Sequence, residues 1–298
     1  MRKLLLSLLL PMLSCAQLSG VVRDSISGNP VPYANIWIED SKKGTNANEK
    51  GEFELGKEFS NASLVFSAIG YETKKIKGNF SAVNLNPVSY QLDQVEIKKP
   101  FGNKSIKLSG FTGSWVLYQT NLNMAKFFPS DEKVLKHPYL KEITFRTVSQ
   151  KEDCVVNLRF LQTDQNGFPG QDMLDENILV PVTKGDHNTT FNVERYHVKV
   201  PEGGIFIVIE RLIIPENRLT TETKAKSLSG GKRILKSYSY EPTFGLLPSE
   251  VNDTWNWTGK WKQDGKEKLS NPQSYENLLM RKYHDKFKTA ALSITLTD

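Results

Sequence analysis

Between Gly20 and Tyr71 the chain is cut into short β-patterned runs by turn signals, at a spacing that leaves no room for a helix of ordinary length. The runs are Gly20-Val-Val-Arg-Asp24, Pro30-Val-Pro-Tyr-Ala-Asn-Ile-Trp-Ile38, Gly44-Thr-Asn-Ala-Asn-Glu-Lys-Gly51-Glu-Phe-Glu-Leu55 and Leu64-Val-Phe-Ser-Ala-Ile-Gly-Tyr71. Period-two alternation along Tyr33 to Ile38 places Ala34, Ile36 and Ile38 on one face and Tyr33, Asn35 and Trp37 on the other, and the all-apolar face is expected in the core. Asn48-Glu-Lys-Gly51 reads as a turn with Gly51 at the position that needs positive φ, and Leu64 to Ile69 reads as a central strand covered on both faces. Such a segment folds as a small β-sandwich and holds no group suited to catalysis.

Residues 1–16 are set apart as an export signal. Arg2-Lys3 is a charged leader, Leu4 to Leu13 is an apolar run, and Ser14-Cys15-Ala16 is a small-residue cleavage site that puts the cut between Ala16 and Gln17. Ten residues are too few to span a bilayer, which takes about 20 residues, and no later segment approaches that length. Cys15 offers an alternative as the lipid-modified first residue of a lipoprotein, although Met12-Leu13-Ser14 departs from a lipobox at two positions. Cleavage after Ala16 leaves Cys154 as the lone cysteine, so no intrachain disulfide forms; its setting, Cys-Val-Val-Asn-Leu-Arg-Phe160, is that of a buried small hydrophobe. The chain carries 39 Lys and Arg against 33 Asp and Glu, and loss of Arg2 and Lys3 lowers the formal charge from +6 to +4. That excess is dispersed, and its densest stretch, Lys224 to Lys236, is broken by Ser and Gly as a solvated loop would be, which argues against nucleic acid as a partner.

Residues 18–97 resemble the carboxypeptidase regulatory-like domain, found at the N-terminus of many exported proteins of Gram-negative bacteria. The resemblance rests on the Gly-x-Val strand at Gly20 to Val22, the Gly-x-Pro turn and strand from Gly28 to Ile36, the Gly-Thr hairpin from Gly44 to Phe53, and the apolar strand ending Gly70-Tyr71. Leu92-Asp-Gln-Val95-Glu-Ile97 matches its closing strand. It implies a seven-stranded prealbumin-like sandwich over residues 17–97. Asn46 stands where the family has Thr or Ser, a change expected to be mild on an exposed strand. The family name does not carry peptidase activity to this chain. A zinc peptidase needs a His-x-x-Glu pair with a distant His, and His137, His187, His197 and His284 are followed by Pro-Tyr-Leu, Asn-Thr-Thr, Val-Lys-Val and Asp-Lys-Phe. The same module precedes TonB-dependent transporters, whose barrels need many hundreds of residues more.

Lys98 to Lys104 reads as a linker, and residues 105–298 as a second, larger β-sandwich of jelly-roll type, so that the whole protein is all-β. Leu140 to Val148 and Val155 to Gln162 are expected to be strands paired with each other, followed by strands at Thr190 to Val193, Tyr196 to Val200, Gly204 to Glu210 and Ala290 to Thr297. Only Ser274 to Tyr283 has a helical pattern, and it reads as short or absent. In Thr163-Asp-Gln-Asn-Gly-Phe-Pro-Gly-Gln-Asp172, the side chains of Asp164, Asn166 and Asp172 suggest calcium, but the EF-hand spacing and its closing Glu are missing and the Asn-Gly and Pro-Gly pairs account for a long β-connection.

The strongest functional lead is Trp255, Trp257 and Trp261. Trp255 and Trp257 share one side of a strand, where exposed indoles at that spacing stack on sugar rings and buried ones fill a core; Tyr238 and Tyr240 repeat the spacing. Neither a Gly-x-Ser-x-Gly elbow nor a phosphate loop occurs. The sequence therefore points to a non-catalytic exported protein of the cell envelope, in the periplasm, at the outer-membrane surface or secreted, without a cofactor, acting as an accessory or binding module for protein or glycan. The alternative is a carbohydrate-active hydrolase using carboxylates of the second domain.

Overall fold

The computed structural model describes residues 18–39, 41, 43–78, 81–88, 102–111, 116–119, 123–226, 232–270 and 278–298. The expected signal, its cleavage site at Ala16 and Gln17, Cys15, the closing strand Leu92 to Ile97 and most of the linker lie outside these residues. Among the described residues no helix is long and apolar enough to cross a membrane.

Among the described residues seven strands form the N-terminal sandwich. One sheet orders Glu52–Leu55, Leu18–Asp24 and Ala82–Leu85; the other orders Gly44–Asn46, Asn35–Ile38, Ser63–Ser67 and Lys74–Lys77. Ala34 and Ile36 are fully buried between the sheets with Val22, Phe53, Leu64, Phe66, Val83 and Leu85, and Ile38 packs at their edge, so the apolar face of the second run does face the core. Gly51 has φ +73, and a Cβ there would stand 2.6 Å from the Val22 carbonyl, so the turn admits only glycine without strain.

Among the described residues two seven-stranded sheets make the second sandwich. One contains Cys154–Thr163, Ile205–Arg211, Asn123–Phe128 and Thr254–Trp257; the other contains Tyr139–Ser149, Thr243–Ser249 and Leu292–Thr297. Val156, Leu158, Phe160, Ile205, Ile207 and Ile209 point inward against Ile143, Phe145, Phe244, Leu292 and Ile294. All-β architecture is therefore borne out in both halves, with more strands in the second than the eight or so of a minimal jelly roll.

Several local expectations change. Tyr139–Ser149 and Cys154–Thr163 do not pair; they lie in opposite sheets, because each turns its apolar residues toward the same core from its own side. Tyr196 to Val200 is not a strand: Glu194–Tyr196 is a 3-10 turn ended by His197 at φ 49, which drops Val198 and Val200 into the core. Lys224 to Lys236 is not a loop throughout, since Arg218–Lys226 and Lys232–Tyr240 form a two-stranded arm in which Lys236 pairs with Glu222 at 3.0 Å. A helix absent from the sequence reading, Glu132–Lys136, is capped by Asp131, whose carboxylate accepts from the Lys133 and Val134 amides. Of the expected C-terminal helix, Leu278–Arg281 is described.

Lys126 sits among the core residues of its strand, 4% exposed, and donates to the carbonyls of Ala290 at 3.2 Å and Leu292 at 3.1 Å in the facing sheet, with Asp253 at 3.8 Å. Burial lowers its pKa below 10.5, against the raising influence of Asp253. Between the folded and unfolded values the unfolded chain binds more protons, so this lysine's contribution to stability rises as pH climbs toward 10.5. The unfolding free energy of the wild type, measured in urea from pH 8 to pH 10, is expected to gain on that of Lys126→Met; parallel pH profiles for the two would contradict it.

Candidate functional site

Trp37, Asn35 and Val65 lie on the outward face of the N-terminal four-stranded sheet, yet they are 2%, 4% and 5% exposed. What covers them is the outer face of the second sandwich. There Ile205–Arg211 and Cys154–Thr163 alternate inward apolar residues with outward Glu210, Asn157 and Arg159, and Asn123 begins the neighbouring strand. The two faces meet through hydrogen bonds converging on Glu210, which is 1% exposed. Its Oε1 accepts from Arg159 at 2.7 Å, Asn123 at 3.3 Å and Asn35 at 3.4 Å, and its Oε2 accepts from Asn157 at 2.9 Å. Asn46 donates to Asn35 Oδ1 at 2.9 Å and accepts from the Ile213 amide at 2.9 Å. The position that departs from the family pattern is therefore buried rather than exposed: its longer side chain spans the junction.

Beside this junction a groove of about 1030 Å³ opens between the sandwiches. Trp37, Lys43, Glu54, Glu58 and Phe59 line it from the N-terminal side; Arg211, Tyr238, Tyr240, Asn256, Trp257, Lys262 and Asp264 line it from the other. The Trp37 ring lies over Gly44, where a Cβ would come within 2.9 Å of it, so glycine lets the indole lie flat at the groove's base. Tyr238 stands on the arm, 58% exposed, with the Arg218 guanidinium 5.4 Å from its ring centre.

The three tryptophans of the sequence lead divide. Trp255 is buried on the outer face of its sheet with Ala125, Leu161, Phe206 and Val208, and packs edge-on against Phe168 with ring centres 4.9 Å apart. Trp257 lines the groove half-buried and is braced by Trp261 across the hairpin, ring centres 5.2 Å apart. Only Trp257 of the three borders the groove, and Trp37, Phe59, Tyr238 and Tyr240 complete its aromatic wall. Tyr238 and Tyr240 carried the period-two signal in the sequence; Trp37 carried only its position on the face opposite the core.

Arg211 is the buried charge of the groove, 9% exposed, with one Nη donating to the Tyr240 carbonyl at 3.2 Å. Burial pushes its guanidinium down to about 10, against the raising influence of Glu241. The carboxylates Glu54, Glu58 and Asp264 are exposed, and Asp264 accepts from Asn256 at 3.0 Å.

Both carboxylates of the calcium candidate Asp164, Asn166 and Asp172 have partners of their own. Asp164 accepts from the amides of Asn166 and Phe168, both at 2.8 Å, and so shapes its own turn, while Asp172 holds Arg159 in a two-point ion pair at 2.8 and 2.6 Å. Among the described residues no group of three or more His, Cys, Asp or Glu is placed to hold a metal ion. Cys154 is buried, and burial raises its thiol pKa, as befits packing rather than reactivity.

Residues 18–98 match the CarboxypepD_reg-like domain family, in agreement to one residue with the C-terminal end of the resemblance in the sequence. No curated protein and no solved structure matches the chain.

Proposed function

We propose that the protein is an exported, non-catalytic binding module of the cell envelope, and that its site is the groove between the two sandwiches, shaped for a glycan. The aromatic wall of that groove carries the proposal. Trp257 and Tyr238 offer partly exposed ring faces beside polar and charged side chains of both signs, the combination that binds the C–H faces and hydroxyls of a sugar together. Export rests on the leader at residues 1–16. The groove lies between the two hydrophobic cores and is a concave surface of adequate size.

Glycan-array binding of the wild type and of Trp257→Ala tests the site. The substitution is expected to weaken binding about tenfold while leaving the fold intact, because one stacking face is lost from a half-buried position. No binding by either protein would sink the proposal. A hydrolase is the second reading, favoured by one observation: Glu54, Glu58 and Asp264 border the same groove. All three are exposed, and a general acid requires a desolvated carboxyl, which supports binding over cleavage. Release of reducing ends from a bound glycan, abolished by Glu54→Gln, Glu58→Gln or Asp264→Asn, would reverse that choice.

A further inference from the structure

Three side-chain N–H groups are buried without an acceptor at residues that line the groove: Trp37 Nε1, Arg211 Nε and Trp257 Nε1. The shortage is one-sided, since among the described residues that line the groove none has a buried oxygen in want of a donor. Buried donors of this kind each cost folding free energy until a partner arrives, and the cost is largest for a charged group. Arg211 is that group. Among the described residues no carboxylate lies within ion-pair distance of it, buried Glu241 acting on it only at longer range, and its one hydrogen bond is to the Tyr240 carbonyl, on the arm that walls the groove.

The signs of charge along the groove balance in number but not in strength. Lys43, Lys262, Glu54, Glu58 and Asp264 are exposed, where water and salt screen them over about 8 Å at physiological ionic strength. Arg211 lies in a poorly solvated setting, where its attraction for an anion is several times greater. A planar carboxylate is the natural complement of a guanidinium fork.

We propose that the ligand is an acidic glycan, a chain containing uronic acid units, with one carboxylate seated on Arg211 and a neighbouring pyranose ring against Trp257. This rests on the groove as the glycan site and narrows what the groove accepts. A neutral glycan would satisfy hydroxyl contacts but leave the buried cation without a carboxylate in direct contact.

The test is calorimetric titration of the whole protein with tetragalacturonate, an alginate tetrasaccharide and a hyaluronan tetrasaccharide. Fully methyl-esterified tetragalacturonate and chitotetraose serve as uncharged controls. At least one uronate is expected to bind about tenfold or more tighter than the uncharged controls, with affinity falling as NaCl is raised from 50 to 300 mM. Arg211→Met, whose chain fills similar space without charge, is expected to erase that preference, with thermal melting reporting that the variant is folded. Equal binding of acid and neutral chains by the wild type would overturn the inference, as would an acid preference that persists in Arg211→Met. Binding of neutral glycans alone, lost in Trp257→Ala, would overturn the acidic class and leave the groove in place. Silence toward every probe would overturn both.

Discussion

Glu210→Ala is expected to lower the unfolding free energy by about 3–5 kcal/mol, the range for breaking a buried, hydrogen-bonded charge. The cause is specific. Removing the carboxylate leaves the Nδ2 of buried Asn35 without its acceptor, leaves Asn123 and Asn157 only their bonds to Asn35 Oδ1 and Asn177 Oδ1, and leaves Arg159 with Asp172 as its remaining counter-charge. Glu210→Gln keeps an oxygen for some of these donors but turns its own amide hydrogens toward others, so a smaller loss of about 1–3 kcal/mol is expected. Urea unfolding followed by tryptophan fluorescence reads both values. A second readout separates junction from core: Glu210 does not line the groove, yet its alanine variant should bind the groove's ligand more weakly, because the groove has one wall on each sandwich. An Ala variant within about 1 kcal/mol of the wild type would mean that the two sandwiches do not hold each other through this cluster.

How much of this could be read from the sequence depends on what each signal measures. Periodicity reports which face of a strand is apolar, and it placed Ala34, Ile36 and Ile38 in the N-terminal core correctly. It is silent on what covers the polar face, so Asn35 and Trp37 gave no sign of being buried, and Asn46 read as exposed. The information was present in another stretch, in the alternation of Ile205 to Arg211, where Glu210 interrupts an otherwise apolar outward face, but nothing in the sequence joins positions 175 residues apart. Trp255 and Trp257 do share a side of their strand, as the spacing required; that Phe168 and Phe206 bury one of them depends on strands brought alongside by the sheet. The Thr-rich run from Arg218 has the β-pattern of the arm, and the basic and Ser/Gly composition that follows it masked the signal. Asp131 is a legible helix cap, but the helix it starts is a single turn or so, too short to show a helical period.

Trp37→Ala is expected to cost about 3–5 kcal/mol, the range for truncating a fully buried aromatic side chain. Trp257→Ala, by contrast, should cost little stability and much affinity. Both indoles line the same groove, so the contrast comes from what stands behind them. Trp37 is 2% exposed, with Gly44 against its ring and Val65 opposite it on the neighbouring strand, and the second sandwich closes over its face. Trp257 is half-buried and braced chiefly by Trp261 within its own hairpin. Trp37→Phe sharpens the test. The Nε1 of Trp37 has no hydrogen-bond acceptor, so replacing the indole by a benzyl group sheds an unsatisfied donor while keeping most of the apolar surface, and a loss of about 1 kcal/mol is expected. Denaturant midpoints for the three variants should fall in the order Trp257→Ala, Trp37→Phe, Trp37→Ala from highest to lowest. If Trp37→Ala proved as stable as Trp257→Ala, Trp37 would have to be solvent-covered in solution. The groove would then lose the wall that only a docked N-terminal sandwich can supply.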